Sequence, residues 1–458
     1  MKTDNKELFE SMPVRKAVLS LIVPTIISQL ITVIYNMADT FFIGQLNDPN
    51  QVAAVSLCMP IFILLTGIAN LFGIGGASLI ARSLGKAEPE KARSAAAFSV
   101  WTAAGVALFY GLMLLVFRPV ILPLVGANEG TYDFCYRYCF WTVTIGGVPT
   151  VMNALLAHLV RAEGYSKQAS FGVALGGVLN ILLDPIFIST LGLAIAGAAI
   201  ATMISNVVAV GYFVIFLYRR RKTTVITPYF RYYTWKQKIP KEILLVGLPS
   251  SLLNLMGVFS NIMLNKLLAG YCNEAVAGIG IAKKIDLMVF AISTGISQGV
   301  LPLIGYNYAA KNFKRMRDSV KTTLLFSLLV AVTCSTLLFT CAGPLVRAFI
   351  DDPMTVHYGQ MFQRIICITG PCLAVAMTII AVFQAVGKKV QPLILSFMRK
   401  GGLDVPFMFI MRAAAGIDGI VWATPISDFL GMVIAVLFFL PFLKKLREEE
   451  ADAALSDR

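Results

Sequence analysis

The sequence predicts an all-α membrane protein, with twelve transmembrane helices in two six-helix lobes related by pseudo-twofold symmetry about the membrane normal. Three observations lead there. The 458 residues are 57% hydrophobic and only 14% charged, against roughly 45–50% and about 25% in soluble domains, so lipid has to be the solvent for most of the surface. The apolar residues fall in long runs without the roughly ten-residue alternation of barrel strands, which leaves helices as the spanning element. The second half of the chain repeats the first.

About 20 apolar residues cross a ~30 Å hydrocarbon core. Runs of that length or more lie at 17–44, 52–81, 95–117, 134–158, 169–191, 193–218, 243–269, 275–304, 319–340, 357–385, 390–411 and 417–443. The start, up to Lys16, is polar and has no short apolar stretch before a small-residue cleavage site, so the first run is expected to stay as the first span. Basic residues gather in alternate loops: Arg82 to Arg93, Arg161 with Lys167, Arg219 to Lys241, Lys311 to Arg317, Lys388 with Lys389, and the tail from Lys444. By the positive-inside rule both termini lie in the cytoplasm and the protein in the cytoplasmic membrane. This placement accounts for the net charge of +14, and a nucleic-acid partner is not expected. Residues 219–241 form the longest and most basic connection. They read as a solvated linker facing lipid headgroups, between an N-lobe at 1–218 and a C-lobe at 242–445, with 446–458 a cytoplasmic tail. The eight cysteines are scattered without CxxC or Cys/His spacing and read as small buried apolar residues.

The repeat is visible residue by residue. Pro24 matches Pro249, Gln29 matches Asn254, Asn36 matches Asn261 and Pro119 matches Pro344, and the segment from Gly197 to Asn206 matches that from Gly419 to Asp428. Six spans per repeat is an even number, so the halves share one orientation, and a substrate site belongs in the cleft between them.

Ionisable groups inside a span cost about 2.5–3.5 kcal/mol on insertion scales, so each needs a reason. In the first run Thr25, Ser28, Gln29, Thr32, Asn36 and Asp39 recur at spacings of three or four and share a helix face. Interhelical hydrogen bonding, worth about 0.6 kcal/mol per contact, suffices for the hydroxyls but not for Asp39. In the fifth run Asn180 and Asp184 project from one face, and Pro185 lacks the N–H that would pair the Ile181 carbonyl. A carboxylate, an amide oxygen and a carbonyl within one turn suit Na⁺, or a proton held on Asp184. Thr202 in the sixth run sits among small residues that serve helix contact equally well. The second half has Leu264 where the first has Asp39, and no acid matches Asp184. Lys283/Lys284 with Asp286, and Arg399/Lys400 with Asp404, read as mutually neutralising groups. Ion coupling therefore belongs in the N-terminal half. His158 and His357 read as satisfied interface residues. The sequence carries no Walker A, GxSxG or HExxH signature, and an enzyme is not expected.

At these residues the chain resembles the multidrug and toxic compound extrusion (MATE) family, DinF-like and MepA-like bacterial branch. The resemblance spans about residues 14 to 445 and rests on Asn36-Met-Ala-Asp39-Thr40-Phe-Phe-Ile43-Gly44, on Asn180 to Pro185 and on Gly305 to Lys311. It implies cation-driven export of amphipathic, often cationic compounds, with H⁺ or Na⁺ as coupling ion and no other cofactor. It implies a cation site of Asp39, Asn180, Asp184 and Thr202, in which Asp184 and Asn180 would be metal ligands only under Na⁺ coupling. Tyr35, Asn36 and Asn153 are expected toward the substrate cavity. The internal duplication favours a monomer whose partners are small molecules and the bilayer. The alternative is a flippase for a lipid-linked or polyprenyl-phosphate substrate, whose cavity should carry Arg or Lys for the phosphates.

Overall fold

The computed structural model describes residues 3–46, 48–236 and 238–456; residues at both ends of the expected chain organisation, including the last two of the tail, lie outside them. It is helical throughout, with no strand among the described residues. A short helix, α1 (Thr3–Glu10), precedes the spans α2 (Val14–Gly44), α3 (Pro49–Gly85) and α4 (Pro89–Leu124). The fourth span is broken: α5 (Tyr132–Cys139) passes through π-helical turns at Phe140–Ile145 into α6 (Gly147–Ala162), bent by 50°. Then come α7 (Ser166–Pro185), α8 (Ala194–Arg219), α9 (Ile239–Ala269), α10 (Asn273–Ala309), α11 (Phe313–Thr340) and the short α12 (Ala342–Arg347). The tenth span is α13 (Pro353–Cys367) with α14 (Gly370–Ala385), bent by 45°. Last, α15 (Val390–Phe397) runs through π-helical turns at Met398–Asp404 into α16 (Val405–Ser456).

Nine of these helices are each long and apolar enough to cross a membrane, and eleven with the two bent pairs. The twelfth is hidden in α16, which leaves helical geometry at Ala415 and at Gly416 (φ +60°), between two stretches that each match an expected run. Large apolar side chains such as Val116, Leu124, Leu325 and Leu329 stand exposed on the outer faces, as lipid contact requires.

The lobes meet along glycine seams in the halves of the spans nearest the basic loops. A Cβ on Gly247 of α9 would lie 1.8 Å from the Leu71 carbonyl oxygen of α3, and one on Gly75 would lie 2.1 Å from that of Ile243. On the other seam, Gly295 and Gly299 of α10 press against the Cα atoms of Ile26 and Ile22 in α2, at 2.8 and 2.9 Å from where a Cβ would stand. Such approach replaces the hydrophobic drive that lipid removes with backbone-distance packing. The Ser78 hydroxyl donates to the Gln384 carbonyl (2.6 Å) and Gln29 Nε2 to Gln298 Oε1 (2.8 Å), while Arg82 pairs with Glu242 (3.2 Å). These contacts close the end bearing the basic loops, and the cleft faces the opposite end.

Two features expected in loops are instead packed. Arg161 stays on the last turn of α6, 3% exposed, because the chain turns sharply at Gly164 (φ +89°) and holds that turn against the bundle. The 219–241 linker is strapped to the first lobe rather than simply solvated. Val225 and Ile226 are buried, Tyr233 stacks on Phe98 with ring centroids 5.7 Å apart, and Glu163 accepts from the Thr224 hydroxyl (2.7 Å) and the Val225 amide.

A Gly247→Val variant is expected to cost about 1–3 kcal/mol through overpacking and to part the seam. Spin labels at the basic-loop ends of α3 and α9 should then report longer distances, and an unchanged distribution would show that the seam accepts a side chain.

Candidate functional site

Three of the four expected cation-site residues, Asn180, Asp184 and Thr202, meet where α7 packs on α8, and Asp39 lies on α2. Asp184, 0% exposed, sits one residue before the proline at which α7 gives way to π-helical turns at Ile186–Thr190. Gly197, at the start of α8, lets that helix approach the widened turn, with a Cβ only 2.5 Å from the Phe187 oxygen. Asn180, one turn before Asp184, donates from Nδ2 to Asp184 Oδ1 (3.2 Å) and to Thr202 Oγ1 of α8 (3.3 Å). The amide thus ties the carboxylate to the threonine.

The donor set is entirely oxygen, and part of it is unanswered. Asp184 Oδ2, Asn180 Oδ1 and Asp39 Oδ1 are shielded from solvent and have no hydrogen-bond partner among the described residues. Asp39, on α2, is partly buried, and no hydrogen bond joins it to Asn180, Asp184 or Thr202 among the described residues. Buried polar atoms are almost always paired, so the orphaned oxygens of Asn180 and Asp184, one helical turn apart, form an acceptor-rich spot that fits a proton or a hard cation. As arranged, Asn180 turns its NH₂ toward Asp184, so direct ligation of Na⁺ by the amide oxygen alongside that Asp184 oxygen would need the amide to turn.

Beside this site lies a cavity of about 350 Å³ between the lobes, within the range of small-molecule pockets, about 300–1,000 Å³. Asn180 and Thr202 form part of its wall, whereas Asp184 and Asp39 do not line it. Of the residues expected toward substrate, Tyr35 and Asn153 line the cavity. Asn153 Nδ2 donates to Asn206 Oδ1 (2.9 Å) and keeps its own Oδ1 unpartnered. Asn36 is exposed and outside the wall, its amide bonded back to the Thr32 carbonyl (2.8 Å).

Sequence reasoning did not single out the cavity's closed end. Asn70, His158, Arg161, Gln298 and Gln384 line it. The amides and the histidine were legible as polar residues within apolar runs, whereas Arg161 stood at a run boundary, where a cation is ordinary. In the second lobe Lys400 pairs with Asp404 as expected (3.3 Å), whereas Arg399 pairs with Asp428 (2.8 Å) instead, and no ion pair joins Lys283 or Lys284 to Asp286 among the described residues. Asp404 also accepts from the Ser260 hydroxyl (2.6 Å).

Comparison with known proteins agrees with this architecture. The MatE family profile matches residues 24–186 and 249–410, one block in each lobe. The chain belongs to the MatE family. It is 30% identical over 437 residues to the multidrug export protein MepA of Staphylococcus aureus (strain COL), spanning 95% of this chain and 96% of that one. It is also 30% identical over 452 residues to MepA of Staphylococcus saprophyticus, spanning 99% of both. Among solved structures, one described as the outward-facing conformation of a multidrug resistance MATE family transporter superposes with a TM-score of 0.90 at 25% identity, covering 98% of this chain and 100% of the other. The protein is thus a multi-pass membrane protein of a transporter family and not an enzyme.

Replacing Asn180 by Ala removes the donor that Asp184 holds and is expected to lower stability by about 1–3 kcal/mol, whereas Thr202→Val, which removes one acceptor, should cost about 0.5–1.5 kcal/mol. Thermal unfolding of the purified variants gives the ranking, and a larger loss for Thr202→Val would reverse the order of importance assigned here.

Proposed function

We propose that the protein is a multidrug exporter that exchanges an inward-moving proton or Na⁺ for an amphipathic, often cationic compound by alternating access. The observation that carries this reading is the bond from Asn180 to both Asp184 and Thr202. Asn180 and Thr202 are wall of the cavity, while Asp184 is wholly buried behind it. A cation arriving among the unpartnered oxygens of Asp39, Asn180 and Asp184 cancels the carboxylate charge. The relief is transmitted to the cavity wall through a single amide. Occupancy and wall conformation are therefore linked, which is what exchange requires. The names of the staphylococcal relatives support the drug-export part of the reading.

The proposed orientation puts the basic loops and both termini in the cytoplasm, so that the cleft of this conformation faces outward. One charge moved through 100 mV supplies about 2.3 kcal/mol, roughly a 50-fold concentration ratio, enough for useful export. Both lobes that wall the cavity come from one chain, so a monomer is sufficient, with the bilayer and the transported compound as its partners and no resident cofactor. A flippase for lipid-linked phosphates would call for several cations in the cavity. The lining holds one, Arg161, and the drug-export reading is preferred.

The test is efflux from proteoliposomes with proton and sodium gradients imposed separately. Wild-type protein should respond to at least one gradient, and Asp39→Asn and Asp184→Asn should each lower gradient-driven efflux at least tenfold while keeping substrate binding. Full cation-driven export by Asp184→Asn would falsify the coupling assignment and leave the export reading standing.

A further inference from the structure

We infer that the closed end of the cavity is an anion subsite centred on Arg161, which selects compounds carrying a carboxylate or similar oxyanion in addition to their apolar or cationic part. The inference rests on the export reading and narrows its substrate class.

Among the residues lining the cavity Arg161 is the only one of the Asp, Glu, Lys and Arg class. It is 3% exposed, yet no carboxylate lies within 4.0 Å of it among the described residues. The other guanidinium buried among the described residues, that of Arg399, is answered by Asp428 at 2.8 Å. The acid nearest to Arg161 in sequence, Glu163, is engaged with Thr224 and Val225 of the linker. Arg161 Nε has no partner, and the hydrogen bond described for its terminal nitrogens is a long one, 3.5 Å, to His158 Nδ1.

The histidine holds the guanidinium rather than neutralising it. Since the guanidinium can only donate, Nδ1 of His158 accepts, so the ring is neutral and protonated on Nε2. That N–H then donates to Asn70 Oδ1 at 3.3 Å. The ring is seated against Gly73, where a Cβ would stand 2.7 Å from it. Asn70, His158 and Arg161 thus form a chain along the cavity wall that ends in a cation with donors to spare. A buried charge without a counter-ion is costly unless something arrives to meet it, and a planar guanidinium fork matches a carboxylate in bidentate fashion. The transported molecule is the partner that can reach it, since Arg161 faces the cavity.

The same oxyanion chemistry is available from a phospholipid headgroup, and a matched pair of ligands separates the two sources. A xanthene dye is used as its free acid, a zwitterion, and as its methyl ester, a cation. Binding of each to the purified full-length protein in phospholipid-free detergent is followed by fluorescence anisotropy. Wild-type protein should bind the acid at least fivefold more tightly than the ester. Arg161→Gln should weaken the acid at least tenfold and the ester less than threefold, and Arg161→Lys should recover part of the loss. Because Arg161→Gln has to bind the ester to be scored, a misfolded variant declares itself, and the wild-type preference decides alone in that case. Equal wild-type affinities, or parallel losses for both dyes in a variant that folds, overturn the subsite while leaving the export reading intact. Binding of neither dye by wild-type protein sinks the cavity as a substrate site, and the subsite with it. Added phosphatidylglycerol that displaces the acid from wild-type protein, with wild-type affinity for the lipid itself lost in Arg161→Gln, would assign the subsite to lipid headgroups and overturn the substrate assignment.

Discussion

Hydrocarbon cannot answer a charge, and the internal chemistry of this bundle is organised by that constraint. Its buried ionised groups meet it in different ways. In the second lobe Arg399 and Lys400 are matched by Asp428 and Asp404 within hydrogen-bonding distance. In the first lobe Asp39 and Asp184 each leave a carboxylate oxygen unpartnered. At the closed end of the cavity Arg161 has donors and no acid. Pairs of the first kind are fixed by their own attraction. The other two are incomplete, and an incomplete charge couples conformation to whatever completes it. Arg161 faces the inter-lobe cavity, and Asn180 ties the buried Asp184 to its wall.

The closed seam obeys the same economy of contact. Between two lobes bathed in lipid tails, burying leucine gains little, because lipid is as apolar as leucine. Gly75 and Gly247 bring two helices to backbone contact instead, and Gly295 and Gly299 do the same on the other seam. Contacts of that kind are short in range and lost together when the helices part. Polar bonds such as Gln29 to Gln298 and Arg82 to Glu242 are laid over them, and their partners can find water once the seam opens. A seam built this way holds one arrangement firmly without making the other inaccessible. α1 adds to it: Phe9 stacks on Tyr306 and lies against Gly164, touching both lobes at the closed end.

Much of this was legible in the sequence because hydrophobic length and charge placement are dictated by the bilayer. The span limits follow from apolar runs, and the pairing of Asn180 with Asp184 follows from a four-residue spacing that any helix would honour. The meeting of Asn180 with Thr202 was legible only through family resemblance, since no spacing rule relates residues on different helices. The breaks at 140–145 and 398–404 were not legible, because π-helical turns depend on packing between helices and leave little mark on composition. Arg161 was misplaced for a related reason. A cation at the end of an apolar run is read as a loop residue, and only the turn at Gly164 keeps it inside. The linker's burial went unseen because its basic residues dominate its composition while Val225, Ile226 and Tyr233 do the packing.

The internal duplication sharpens the contrast between the lobes. Asn206 and Asp428 occupy equivalent places in the repeat, each one turn beyond an equivalent threonine, Thr202 and Thr424. In the first lobe that place is a neutral amide, which bonds to Asn153, Thr150 and the Thr202 carbonyl. In the second it is a carboxylate locked to Arg399, whose own carbonyl accepts from the Ser427 hydroxyl. The corresponding Ser205 hydroxyl has no partner among the described residues. One backbone plan thus supplies two polar centres, one closed by an ion pair at Asp428 and one tied only to neutral groups at Asn206. Under the exchange proposed above, a gradient would act on the centre in the first lobe, so a symmetric scaffold would take up energy from one side only.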